Sequence, residues 1–191
     1  MPETVTYRSR AKVLAIGQYG YVSLADAEEL GIPKNELVKM AGRGDFKHVA
    51  YGLYRFEEIP HTPYDQFYEA VARVGRDAHL TGDAVLSLHN LALVNPRRVR
   101  VGTPRRVERR LPPWVEVIRQ RIPSDDLTVY ELVPSTTVAR AIRDCVPIVP
   151  ADRLRAAVDE AASQGLVRER DVRGLQDAIN APRPASKAAT G

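Results

Sequence analysis

Apolar residues recur three apart at Leu24, Ala27 and Leu30, which on an α-helix places them on one side. Ser23 stands just before that stripe and Asp26 three residues after it, so the serine hydroxyl can cap the first amides and the carboxylate completes a weak capping box. Gly31 ends the helix, because glycine enters the left-handed conformation cheaply, and Ile32 with Pro33 makes a corner. A second stripe, Leu37 with Met40 or Ala41, predicts a helix from about Lys34 to Ala41. Its other face carries Lys34, Asn35, Lys39 and, just beyond, Arg43. After Gly42 and Gly44 the pattern changes: Phe46 to Phe56 is aromatic and β-branched with Gly52 at a turn-like position, which predicts a β-hairpin bearing Lys47 and His48. An earlier helix from Thr6 to Gly17 turns Ala11 and Leu14 inward, with Val13 a further candidate. Helix, corner, helix and ribbon in that order predict a winged helix-turn-helix.

The residues His61, Thr62 and Pro63 read as a junction, dividing the chain into parts 1–59 and 60–180. With Thr62 as cap and Pro63 as first residue, a helix to about Ala78 aligns Tyr64, Phe67, Val71 and Val74. A helix from Thr81 through Leu91 turns Val85, Leu88 and Leu91 or Ala92 inward. Strands are expected at Val99 to Thr103 and Val107 to Leu111, followed by a hairpin of Trp114 to Ile122 with Leu127 to Val133 across the turn-forming run Pro123 to Asp126. Pro134 and Ser135 then open a helix with Val138, Ile142 and Cys145 on one face, and two more helices cover Ala151 to Ser163 and Glu169 to Ile179. Beyond Asn180 no core-forming residue remains, so 181–191 is expected to be a disordered tail. The fold class is therefore α+β: an N-terminal winged helix-turn-helix followed by a mixed α/β domain with antiparallel strands and C-terminal helices.

Composition narrows the function more than the fold. At 191 residues, 44% hydrophobic and 27% charged, the chain can bury one or two ordinary cores. The opening MPETVTYRSRAK has no apolar core of signal-peptide length and no run reaches a membrane span, so the expected compartment is the cytoplasm and no membrane partner is expected. Cys145 is the only cysteine, which excludes disulfides and thiolate metal clusters within one chain. The spacing of His48, His61, His79 and His89 matches no familiar zinc pattern, and Ser87 and His89 fall on different faces of a helix without a glycine elbow. Gly42-Arg43-Gly44 lacks the length and the lysine-serine ending of a phosphate loop. Asp125 and Asp126 sit side by side in a turn, a poor arrangement for a hydrolytic pair. These observations favour a non-catalytic protein without cofactor or metal.

Charge then supplies the candidate chemistry. The net charge is only +4, yet Arg97, Arg98, Arg100, Arg105, Arg106, Arg109 and Arg110 face a single acid, Glu108, in one short stretch. Such a cluster makes a local field that attracts phosphates; the rival reading is a solvated basic surface. The same choice applies to Lys34, Asn35, Lys39 and Arg43, residue types that reach phosphates and base edges but also make an ordinary wet helix face.

The ordered run GYVSLADAEELGIPKNELVKMAGRGDFKHVAYGLYRF, DAVLSLHNLAL, RVRVGTP and VPSTTVARAIRDCV resembles the AbiEi family of bacterial antitoxins, over about residues 11–146. The resemblance implies a winged helix-turn-helix joined to a C-terminal antitoxin domain of a type IV toxin-antitoxin system. It also implies repression of the protein's own operon through inverted repeats in promoter DNA, and counteraction of a nucleotidyltransferase-like toxin of the AbiEii type, by contact or indirectly. By position, Ser23 caps the helix before the recognition helix, Lys34, Asn35, Lys39 and Arg43 face DNA, and Lys47 and His48 lie on the wing. Arg97, Arg98, Arg100, Arg105 and Arg106 extend the DNA footprint or meet the toxin. Two other readings stand beside this one. The chain is a protein-binding adaptor whose basic face grips an acidic partner, or a degenerate relative of winged-helix nucleases, although nothing after Val133 supplies the acid-x-lysine pair such a nuclease needs.

Overall fold

The computed structural model describes residues 6–181, so the expected tail lies, apart from Ala181, outside the described residues. The first unit opens with α1 (Tyr7–Ile16), capped by the Thr6 hydroxyl, which accepts the Ser9 amide at 3.1 Å. Ala11 and Ala15 form its buried edge, while Val13 is 73% exposed. Then come β1 (Tyr21–Ser23), α2 (Leu24–Glu29), α3 (Lys34–Gly42), β2 (Lys47–Ala50) and β3 (Leu53–Arg55). The strands form an antiparallel sheet in the order β1-β3-β2. Leu37, Met40 and Phe56 are fully buried among the helices and this sheet. The hairpin turn rests on α2: Leu24 donates its amide to the Gly52 carbonyl at 2.9 Å. Gly52 has φ +68°, and a Cβ there would stand 2.7 Å from Leu24 Cδ1, so the position needs glycine twice over.

The second unit comprises α4 (Asp65–Val74), β4 (His79–Leu80), α5 (Asp83–Leu88), β5 (Val99–Thr103), β6 (Val115–Arg119), β7 (Leu127–Tyr130), β8 (Val133–Thr136), α6 (Val138–Cys145), α7 (Ala151–Ser163) and α8 (Glu169–Asn180). The fold is thus α+β. The larger sheet has the order β6-β5-β4-β8-β7 and is mixed rather than antiparallel throughout, since β5 runs parallel to β6 and β4 parallel to β8. Helix α4 lies against β4, β5 and β8, and α6 packs on α5, α7 and α8. A separate core is built here from side chains such as Leu80, Val101, Ile142, Leu154 and Leu175.

Several expected elements are corrected. Trp114 to Ile122 and Leu127 to Val133 do not pair: β6 and β7 stand on opposite edges of the sheet, and β7 forms its hairpin with β8 instead. The turn of that hairpin is Glu131-Leu132, both at positive φ (45° and 60°), a tight-turn conformation reached without the glycine or asparagine that normally signals it. Pro134 and Ser135 belong to β8, and α6 is capped by Thr137, whose hydroxyl accepts the Arg140 amide at 3.3 Å. Val107 to Leu111 forms no strand, because β6 already occupies the edge beside β5. The helix expected to reach Ala78 stops at Val74 before Gly75, which frees His79 and Leu80 to enter the sheet.

The two units meet through buried polar contacts. Arg55, 5% exposed, donates to Asp65 at 3.1 Å and to the Ile59 carbonyl at 2.8 Å. Asp65 also accepts the Thr62 amide at 2.9 Å, the Thr62 hydroxyl at 2.8 Å and His61 Nδ1 at 2.7 Å. Burial works to raise the pKa of this carboxyl, but the two Thr62 donors, His61 and the Arg55 charge outweigh it and hold the group below the ordinary carboxylate value. Tyr21 donates to Glu69 at 2.6 Å, and Arg73 donates to the Val49 carbonyl at 3.1 Å. Nearby, His89 packs on Tyr130 with ring centroids 3.9 Å apart, and burial pulls its pKa down to about 4.

Asp65→Asn leaves the Arg55 charge buried without its counter-ion and is expected to cost about 3 kcal/mol in denaturant unfolding. Because the folded pKa of Asp65 is depressed, its contribution is present above about pH 4 and is lost on acidification through the folded value. His89 acts at higher pH. It is neutral in the fold down to about pH 4 but protonates near pH 6.5 when unfolded, so stability falls as pH drops between those values. His89→Phe is expected to flatten part of the fall in melting temperature between about pH 7 and about pH 5, and His79, whose pKa burial also lowers, contributes in the same direction.

Candidate nucleic-acid interface

Helix α3 starts directly at the corner because Pro33, with its fixed φ near −60°, serves as N-cap, and Gly31 at φ +62° turns the chain after α2. Burial of Leu37 and Met40 sends Lys34, Asn35, Lys39 and Arg43 to solvent, where all four are exposed. The Lys34 ammonium lies 6.0 Å from the ring centroid of Tyr51, itself 75% exposed at the hairpin tip. Lys39 pairs with Glu36 at 2.7 Å and Arg43 with Asp45 at 3.5 Å. On the hairpin, Lys47 is 3.9 Å from Glu57, and the exposed His48 ring sits 5.2 Å from that of Tyr54. These ion pairs are solvent-exposed on the cation side, so each is worth little and yields readily to a competing anion.

Ser23 does not face outward. It is half-buried in a complete capping box: its hydroxyl accepts the Asp26 amide at 3.1 Å, and Asp26 Oδ2 accepts the Ser23 amide at 2.7 Å. Its side chain is engaged in starting α2.

The arginine cluster divides. Arg97 and Arg98 are exposed on the approach to β5, and neither has an ion pair among the described residues. Arg100 is half-buried and its guanidinium is taken up by Asp83 at 3.5 Å and Glu116 at 3.3 Å. The expectation of a phosphate-facing Arg100 therefore gives way to a side chain that ties the start of α5 to β6. Arg105 pairs with Asp77, and Arg106 reaches Glu108 at 3.7 Å, both on exposed loops. No hydrogen bond or ion pair among the described residues joins this cluster to α3 or the hairpin.

Tyr51 is a residue of this face that the helical and strand patterns do not single out. Its one signal in the chain is an aromatic directly before the turn glycine, a position where a core ring is rarely placed. Among the described residues no group of three His, Cys, Asp or Glu side chains can hold a metal ion. The buried Cys145 thiol is pushed up to about 12 by desolvation and by the neighbouring Asp83, which leaves it protonated and inert. No helix among the described residues is long and apolar enough to cross a membrane. No protein-family model matches the chain, and no curated protein matches it.

Ser23→Ala removes the cap of α2 and is expected to lower unfolding stability by about 1 kcal/mol, read by thermal melting. Any effect on an anionic ligand should follow that loss of stability rather than exceed it.

Proposed function

We propose that the chain is a DNA-binding antitoxin of a bacterial type IV toxin-antitoxin system, acting in the cytoplasm. Residues 1–59 serve as a winged helix-turn-helix and residues 60–180 as the antitoxin domain. The observation that carries the reading is the outward face of α3, where Lys34, Asn35, Lys39 and Arg43 stand exposed beside a hairpin that presents Lys47, His48 and Tyr51. A short helix flanked by a basic ribbon can enter a major groove while the ribbon follows the adjacent phosphates. In this reading α3 recognises inverted repeats in the operon's own promoter, Arg97 and Arg98 meet either the flanking backbone or the toxin, and the protein does no chemistry itself. Its toxin is a nucleotidyltransferase-like protein encoded beside it, countered directly or through control of its expression.

The adaptor reading has one observation in its favour. Glu36, Asp45 and Glu57 sit among the cations of this face, so its charge is mixed where a pure phosphate-binding surface would be uniform. An acidic protein partner that displaces those pairs would use the same side chains.

A gel-shift on the protein's own upstream DNA separates the two. With Lys39→Ala and Arg43→Ala combined, binding is expected to weaken at least about tenfold. The slope of log affinity against log salt should also drop by roughly 0.9 for each phosphate that is no longer neutralised. Unchanged affinity at matched salt would remove α3 from the interface, and a stable complex with the neighbouring gene product without operator preference would select the adaptor.

A further inference from the structure

A cavity of about 380 Å³ lies where the hairpin tip and α2 approach α4, a volume in the range of nucleotide-sized ligands. Its walls are apolar and aromatic, from Leu24, Leu53, Val71 and the rings of Tyr21, Tyr51 and Tyr68. Two exposed arginines, Arg76 and Arg109, line it on the solvent side. Arg76 shares its charge with Glu29 at 2.9 Å, whereas Arg109 has no ion pair among the described residues. Gln18 is also a lining residue, and its Oε1 is buried with no hydrogen-bond partner among the described residues, an unmet acceptor of the kind a ligand N–H satisfies. Asp26 adds a second acceptor: its Oδ2 is engaged by Ser23, and Oδ1 has no partner among the described residues.

Acceptors inside, flat rings along the walls and a free guanidinium at the rim describe one ligand chemistry. We propose that this cavity binds a nucleoside monophosphate, with the base among the tyrosines, its N–H groups donating to Gln18 and Asp26, and its phosphate held by Arg109 and Arg76. A purely apolar ligand leaves the Gln18 acceptor and the Arg109 charge unused. Because Tyr51, Gly52 and Leu24 belong to the first unit and Val71, Gly75 and Arg109 to the second, the bound nucleotide cross-links the two and holds the α3 face at one angle to the body. The site is defined by its own geometry and does not depend on the DNA-binding reading.

Calorimetric titration of the full chain with AMP, GMP, CMP and UMP tests it. At least one is expected to bind with a Kd below about 100 µM, and the matching nucleoside about tenfold more weakly, because it lacks the charge-assisted hydrogen bonds of the phosphate. Arg109→Gln, an exposed change that leaves the core untouched, should bring the nucleotide down to the nucleoside's affinity. Ala72→Phe, which fills the cavity from α4, should abolish binding of both, with circular dichroism confirming the fold. Absence of binding by all four nucleotides at about 1 mM overturns the proposal. So does equal affinity for nucleotide and nucleoside, equal affinity for inorganic phosphate, or an unchanged Kd in Arg109→Gln. A preparation that binds nucleotide but not operator DNA counts against the regulator reading alone.

Discussion

The seating of the first unit on the second depends on one buried charge. Arg55 projects from the central strand of the three-stranded sheet and finds Asp65 at the first residue of α4, with the carbonyls of Phe56 and Ile59 taking further N–H groups. Removing both ions from water costs about as much as their pairing returns, so the net stabilisation is modest. What the pair excludes is any other seating, since a strand slipped by one residue or a rotated α4 would strand a guanidinium in a dry interface. The Tyr21 to Glu69 and Arg73 to Val49 hydrogen bonds are consistent with this one arrangement and extend it along α4.

From that constraint follows the position of everything facing outward. Helix α4 meets the small sheet through the polar contacts of Asp65, Glu69 and Arg73 and the large sheet through β4, β5 and β8, so it is the element that touches both sheets. The outward face of α3 stands away from this seam, while the hairpin meets α4 at Val49 and its tip, Tyr51 and Gly52, lines the cavity beside that helix. The exposed cations of α3 keep their long side chains loosely tethered to Glu36 and Asp45, an arrangement that costs little to exchange for a phosphate or a carboxylate on a partner. The arginines in and around β5 serve two ends: Arg100 braces α5 against β6, while Arg97, Arg98 and Arg109 have no ion pair among the described residues.

Elements with local signals are legible in the chain. The capping box of Ser23 and Asp26, the glycine after α2, the turn at Gly52, and the inward positions Leu37, Met40, Val138, Ile142 and Cys145 all act within one or two helical turns, the range over which residue pattern carries information. Strands β1 and β4, of three and two residues, are too short to show alternation. They exist because β3 and β5 offer them a ladder. The residue pattern points β7 to the wrong partner because Pro123 to Asp126 carries stronger turn residues than Glu131-Leu132, and because a proline in β8 reads as a helix start. The outward set on α3 is likewise legible from the stripe behind it, but the inward turn of Arg100 is not, since Asp83 and Glu116 come from distant elements.

Residue order alone settles where most helices begin and end, which of their faces are apolar, and that one face of a short helix after a tight corner carries Lys34, Asn35, Lys39 and Arg43. Three-dimensional packing was needed to show which arginines are consumed by carboxylates, that the larger sheet is mixed, that Arg55 and Asp65 lock strand to helix, and that both units line one cavity. The difference is one of range. Caps and amphipathic stripes answer to neighbours a few residues away, whereas strand order and charge pairing answer to whichever groups the folding of the whole chain brings within a few ångströms.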